Sequence, residues 1–284
     1  MAKLDRLGWA AGLAFEAFGV RVGIRANHER ALMMVLPLLP PGWKPARTPQ
    51  VEYLYSLILG DERGGGRIRR YHLVYSGVTR LARTWDLQEA LRLFELDLHF
   101  YIAEAARAFI FVHAGVVGWR GRALLLPGGR GTGKSRLVAA LLRAGASYLS
   151  DRFAVLDSRG RVHPYPVPLE LASAAAEKPT KYLAEDLGGK TARRALPVGL
   201  ILFTHYRAGA RWRPRELSPG EASLELLRHV FSTAWVPARV LRTLGALAER
   251  VRALKSARGE AEDVVPELLS LVEENDGGTT EGAE

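Results

Sequence analysis

The stretch Leu124–Leu142, LLLPGGRGTGKSRLVAALL, constrains this chain more than any other. An apolar run enters a glycine-dense loop, Lys-Ser follows, and apolar residues then recur at helical spacing. Gly128, Gly133, Lys134 and Ser135 satisfy the pattern G-x-x-x-x-G-K-[ST]. Glycines permit positive φ and let backbone N–H groups approach an anion. A helix starting at the loop's end turns its free amides and positive dipole end toward the same anion. Lys134 supplies a point charge for the β and γ phosphates, and Ser135 supplies a hydroxyl for Mg²⁺. The expected nucleotide-binding residues are Gly128, Gly129, Arg130, Gly131, Thr132, Gly133, Lys134 and Ser135, holding ATP or GTP with Mg²⁺.

Such a loop needs a carboxylate nearby. Asp151 ends a short β-type run, ASYLSD, directly after the loop helix. If that run lies beside the loop strand, Asp151 reaches the γ-phosphate region, where it can bind Mg²⁺ or take a proton from an attacking hydroxyl. Asp157, in LDSRGR, is read as a turn former. His113 lies in a β-type run upstream; next to Asp151 it would tune the carboxylate, and elsewhere it is a satisfied structural residue.

The organisation expected around the loop is α/β. FGVRVGIRA, VEYLYSLIL and RYHLVYSG read as strands. NHERALMMVL reads as a short helix capped by Asn27 and stopped by Pro37. Asp86 and Glu89 form a capping-box pattern that opens a long amphipathic helix ending near Arg107. From Phe109 two apolar β segments flank a turn at Arg120-Gly121, and the second feeds the loop. The loop helix closes at Gly145, ALPVGLILF is a buried strand, and Ser218–Glu221 is a capping box with Pro219 at the first helical position. Pro237–Val272 reads as mostly helical. The domains expected are an α+β portion over 1–108, a nucleotide domain over 109–272 with a helical C-terminus, and a disordered acidic tail over 273–284.

Composition narrows the chemistry. The 284 residues contain no cysteine, which excludes disulfides, thiolate metal sites and cysteine nucleophiles. No apolar run is long enough for a bilayer and no signal peptide is legible at the start, so the expected location is cytoplasmic. The net charge of +10 comes from dispersed Lys and Arg. It reads first as a solvated surface and second as attraction for an acidic partner.

The run FVHAGVVGWRGRALLLPGGRGTGKSRLVAALLRAGASYLSDRFAVLD resembles the catalytic domain of HPr kinase/phosphorylase and the HPr-kinase-like serine kinases. The shared order is a His-Ala strand, a hairpin, a P-loop, a helix and then L-x-[SA]-D. GLILFTHYRAGARWRPRELSPGEASLELLRHVF is similar to their later strand–loop–helix, and the likeness is nearer to peptide-modifying relatives, such as lasso peptide kinases, than to HPr kinase proper. The resemblance implies a P-loop HPr-kinase-like fold, ATP and Mg²⁺ as cofactors, Asp151 as the base toward a substrate serine, and His113 against it. Lys134 would act on the phosphates, and Ser135 with Asp151 on the metal. Two departures stand out: the family usually has a second acid where this chain has Arg152, and Glu170 is the nearest match to its later Glu-rich signature. Arg152 would then stabilise transferring phosphoryl charge.

Three functions are weighed. The first is an ATP-dependent kinase passing the γ-phosphoryl group to a Ser or Thr of a peptide or small protein, which the basic charge would steer if acidic. The second is a nucleotide-binding regulatory module with little transfer activity, motivated by Arg152. The third is a nucleic-acid-linked ATPase, motivated by charge alone and lacking any basic block with interleaved aromatics. A membrane partner is not expected, and a homo-oligomer is compatible with the family.

Overall fold

The computed structural model describes residues 8–60, 71–129, 131–172, 179–231 and 237–274. The chain divides into two units, Met1–Ala106 and Arg107–Glu284.

In the first unit the strands are β1 (Ala11–Ala17), β2 (Val20–Ala26), β3 (Lys44–Pro45), β4 (Tyr53–Ile58), β5 (His72–Ser76) and β6 (Thr79–Thr84), in sheet order β3-β1-β2-β4-β5-β6. The sequence pattern indicated β2, β4 and β5. It missed β1, whose AGLAFEA has too few large apolar residues to announce a strand, and β6. Phe18 and Gly19, both at positive φ (51° and 80°), turn the chain between β1 and β2 as a twisted hairpin requires. β2 and β4 are parallel, and the crossover between them carries α1 (Glu29–Val35).

The cap of α1 differs from expectation. His28 is the N-cap, and its Nδ1 accepts from the Arg30 N–H. Asn27 acts as a peptide-like bridge instead, donating from Nδ2 to the Leu59 carbonyl and accepting the Leu59 N–H at Oδ1. The α-helix stops at Val35, and Pro37 lies inside a following 3₁₀ turn, Leu36–Leu38. Proline needs no N–H in a first turn, so it was not the stop.

Helix α2 (Leu87–Ala105) is capped by Asp86, which accepts from the N–H groups of Gln88 and Glu89. It buries Ala90, Phe94, Leu98 and Ile102 at four-residue spacing against β5 and β6. Tyr55 and Ser76 are register partners on β4 and β5, and both donate to Asp97 Oδ2 on α2 at 2.7 Å.

The second unit is a three-layer α/β/α arrangement. Its elements are β7 (Ile110–Trp119), β8 (Arg122–Pro127), α3 (Lys134–Arg143), β9 (Ser147–Ser150), β10 (Phe153–Leu156), β11 (Arg161–His163), β12 (Leu169–Leu171), β13 (Thr180–Tyr182) and β14 (Lys190–Thr191). There follow β15 (Leu196–Tyr206), β16 (Arg215–Glu216), α4 (Pro219–Leu227), α5 (Pro237–Arg250), β17 (Ala253–Arg258) and α6 (Ala261–Glu274). The main sheet has nine strands in the order β14-β9-β7-β10-β11-β15-β17-β16, with β8 paired to β7 and β15; β12 and β13 pair separately.

Alternation along β7 sorts the core onto two faces. Ile110, Val112, Ala114 and Val116 join the cluster under α4 and α5. Val117, Leu124 and Leu126 join the cluster under α3 and α6. The strand β17 corrects the expected mostly helical C-terminal segment: ALKSAR runs parallel to β15 and buries Ala253, Leu254 and Ser256. A strand slot beside β15 overrode the local helical look. The capping box is present at α4, where the Ser218 hydroxyl accepts the Glu221 N–H and the Glu221 carboxylate returns to Ser218. Glu273 and Glu274, expected in the tail, belong to α6; Glu273 accepts from Trp119 Nε1 at 2.7 Å. Residues 275–284 lie outside the described residues.

Candidate functional site

The loop 128–133 leaves the carboxyl end of β8 and enters α3. Gly131 and Gly133 have φ of 82° and 79°, values that strain a side chain but not glycine. Gly133 is the N-cap of α3, and among the described residues no side chain caps that helix. The first-turn amides therefore have no capping side chain to accept from them, which leaves them available to an anion. The loop's own bonds hold its shape: the Gly128 N–H donates to the His113 carbonyl at 3.1 Å, and the Thr132 hydroxyl donates to the Gly129 carbonyl at 2.9 Å. Arg130 lies outside the described residues.

β9 and β10 lie end to end along one edge of β7. Val116 faces Ser150, His113 faces Phe153, and the ladder opens between them at Asp151-Arg152. Ser150 holds the opening, its hydroxyl accepting the N–H groups of Arg152 (3.1 Å) and Phe153 (3.0 Å). The register places Asp151 opposite Gly115, on the face that carries α3. A Cβ at Gly115 would meet Val138 Cγ2 at 2.8 Å and Lys134 Cγ at 3.1 Å. Glycine is needed there so that the Lys134 stem can cross the strand.

Lys134 reaches Asp151 by that route. Its Nζ donates to Asp151 Oδ1 at 2.9 Å and also to the Asp151 carbonyl. The Ser135 hydroxyl donates to Asp151 Oδ2 at 2.6 Å. The side chains of Lys134 and Asp151 are only 9% and 11% exposed, so the pair interacts at low local dielectric. Lys134, Ser135 and Asp151, three residues picked from sequence, thus meet at one point.

The other candidates fall differently. His113 shares the α3 face through its position two residues from Gly115, and its ring lies 6.0 Å from Phe231, centroid to centroid. The hydrogen bonds to the Asp151 carboxylate come from Lys134 and Ser135. Arg152 sits in the ladder opening with its N–H on Ser150. Glu170, on β12, is 3.9 Å from Lys181. Asp157 forms the turn expected of it, Oδ1 accepting from Arg159 and Arg161 and Oδ2 bonding the His163 ring.

Sequence reasoning missed two residues at the loop's other side. Arg258, 1% exposed at the end of β17, donates from Nη2 to the Gly133 carbonyl at 2.6 Å and from Nη1 to the Gly259 carbonyl at 2.9 Å. Among the described residues its Nε has no hydrogen-bond partner, and burial pulls its pKa below the usual guanidinium range. A buried cation so placed adds positive potential behind the glycine loop. Tyr206, its register partner on β15, donates its N–H to the Thr132 carbonyl at 2.9 Å. The only legible signal was an arginine closing ALKSAR, and it was masked by the helical reading.

Among the described residues, no three His, Cys, Asp or Glu gather to hold a metal. Mg²⁺ does not need such a cage: it takes one or two protein oxygens and completes its shell from phosphate and water. Ser135 Oγ and Asp151 Oδ2, already 2.6 Å apart, fit that demand. No described helix is long and apolar enough to cross a membrane.

No protein-family model matches this chain, and no curated protein matches it. Among solved structures, the Hpr(Ser) kinase/phosphatase from Coxiella burnetii aligns with a TM-score of 0.34 and 14% identity, over 58% of this chain and 95% of that one.

Proposed function

We propose that this protein is an ATP-dependent phosphotransferase that passes the γ-phosphoryl group to a Ser or Thr hydroxyl of a peptide or small protein. The observation that carries the reading is the meeting of Lys134, Ser135 and Asp151 at the mouth of an uncapped helix. A generic phosphate loop would need only the first two. A carboxylate bonded to both is placed to handle the metal and a proton.

Lys134 can serve either Asp151 or phosphate oxygens. When it turns to the phosphates, Asp151 Oδ1 is released to accept the acceptor's hydroxyl proton. The acceptor O–H bond breaks, the new O–P bond forms, and the bond to the β-phosphate oxygen breaks in line, leaving ADP. Mg²⁺, when bound, neutralises charge between the β and γ phosphates. The exposed cations Arg193, Arg194, Arg207, Arg211 and Arg213 favour an acidic acceptor, with attraction that falls as salt rises.

The test is phosphorylation of Ser- and Thr-containing peptides, acidic and neutral, with γ-labelled ATP and Mg²⁺. Label on a hydroxyl, lost in Lys134→Ala and Asp151→Asn, is expected. ATP binding with no transfer to any acceptor would favour a regulatory nucleotide-binding module instead.

A further inference from the structure

The two sides of the phosphate loop are unlike. On one side stand β7 and Asp151. On the other, β15 and β17 run parallel to β8 and bring Tyr206 and Arg258 to the same carboxyl edge. If the terminal phosphate lies at Lys134, Ser135 and Asp151, the rest of an elongated nucleotide leaves the loop away from β7, over the ends of β15 and β17. Open α/β sheets take ligands at that edge.

The group that meets it there is an aromatic ring. Tyr206 is 38% exposed, so its ring is open to a ligand at this edge. The ring is also fixed. Its backbone N–H is tied to Thr132, its Cβ lies 2.9 Å from where a Gly133 Cβ would stand, and its hydroxyl donates to Glu260 Oε1 at 2.9 Å. The Arg258 guanidinium carbon is 6.0 Å from the ring centroid. An aromatic face held at both ends loses little freedom when a flat ligand settles on it.

We propose that Tyr206 is the stacking platform for the nucleotide's base, with Glu260 as the positioning residue that holds its phenol. This rests on the reading of the loop as a triphosphate site given above. Stacking on an aromatic ring tolerates any base, so the subsite separates nucleotides from bare polyphosphate rather than ATP from GTP.

Calorimetric titration of the full chain with Mg·ATP and with Mg·tripolyphosphate tests it. Wild type should bind ATP more tightly than tripolyphosphate. Tyr206→Ala should weaken ATP binding about 10- to 100-fold and leave tripolyphosphate unchanged, because the N–H to Thr132 remains. Tyr206→Phe, which keeps the ring, should retain most of the ATP preference. Equal weakening of both ligands by Tyr206→Ala, or no weakening of ATP, would overturn the platform and leave the phosphate site standing. Failure of wild type to bind either ligand would overturn the phosphate site and the platform together.

Discussion

Each unit holds a carboxylate between a helix and a sheet, and the two are satisfied differently. Asp97 of α2 accepts from two neutral hydroxyls, Tyr55 and Ser76, presented in register by β4 and β5. Asp151 accepts from a cation and a hydroxyl, both at the start of α3. The donors to Asp97 have only structural partners: the Ser76 hydroxyl also pairs with the Tyr53 hydroxyl at 2.9 Å. Burial and the bond to Asp97 push the Tyr55 phenol pKa far above its usual value, so that proton stays in place. The donors to Asp151 are the same groups that an anion at the loop would claim. One carboxylate fastens a helix, while the other is held in an exchangeable way. Buried polar groups alone do not mark a site; what matters is whether their partners can be called elsewhere.

The comparison breaks most sharply at the carboxylates themselves. Asp151→Asn should lower phosphoryl transfer about 10²- to 10⁴-fold, the span of a lost general base, and should also lower thermal stability, because it leaves the buried Lys134 ammonium without its counter-charge. Equal transfer by this variant would remove Asp151 from the chemistry.

Arg258→Met should come next. The loss of the bond to the Gly133 carbonyl and of a positive charge behind the loop should weaken Mg·ATP binding about tenfold or more. Arg258→Lys should restore it only in part, since an ammonium cannot span two carbonyls as a guanidinium fork does. Titration of each variant with nucleotide separates these outcomes.

Asp97→Ala should act on stability. It leaves the Tyr55 and Ser76 hydroxyls without their acceptor and should destabilise the first unit by about 2–3 kcal/mol, read by hydrogen exchange in α2 and β4. Ser76→Ala, which removes one donor and leaves Tyr55 in place, should cost about 1 kcal/mol. If either variant left α2 protection unchanged, the fastening role would fail.

The smallest effect concerns pH. Burial alone would raise the Asp157 pKa, but hydrogen bonds from the Arg161 N–H, the His163 ring and the Arg159 N–H hold it below the usual carboxylate range. A depressed carboxylate contributes stability above its unfolded pKa of about 4 and loses it as pH falls through the folded value. Asp157→Asn should therefore flatten the acid limb of the melting temperature below about pH 4 and leave the neutral plateau lower.

Much of the second unit was legible in the chain. The glycine loop, the strand that feeds it, the helix that leaves it and the nearby Asp151 all follow from short-range rules: positive φ at glycine, helical spacing and an acid at a strand end. The Ser218 cap was legible for the same reason. Gly115 looked like any strand glycine, because its need is set by the Lys134 stem crossing from α3. β17 looked helical, because its slot beside β15 is a tertiary fact. Arg258 and Tyr206 were invisible as a pair, because parallel pairing of β15 and β17 alone sets them side by side at the loop. Local sequence determined that a glycine loop joins a strand to a helix and which acid follows it. Only the sheet decided which residues flank that loop, since register joins positions that the chain keeps far apart.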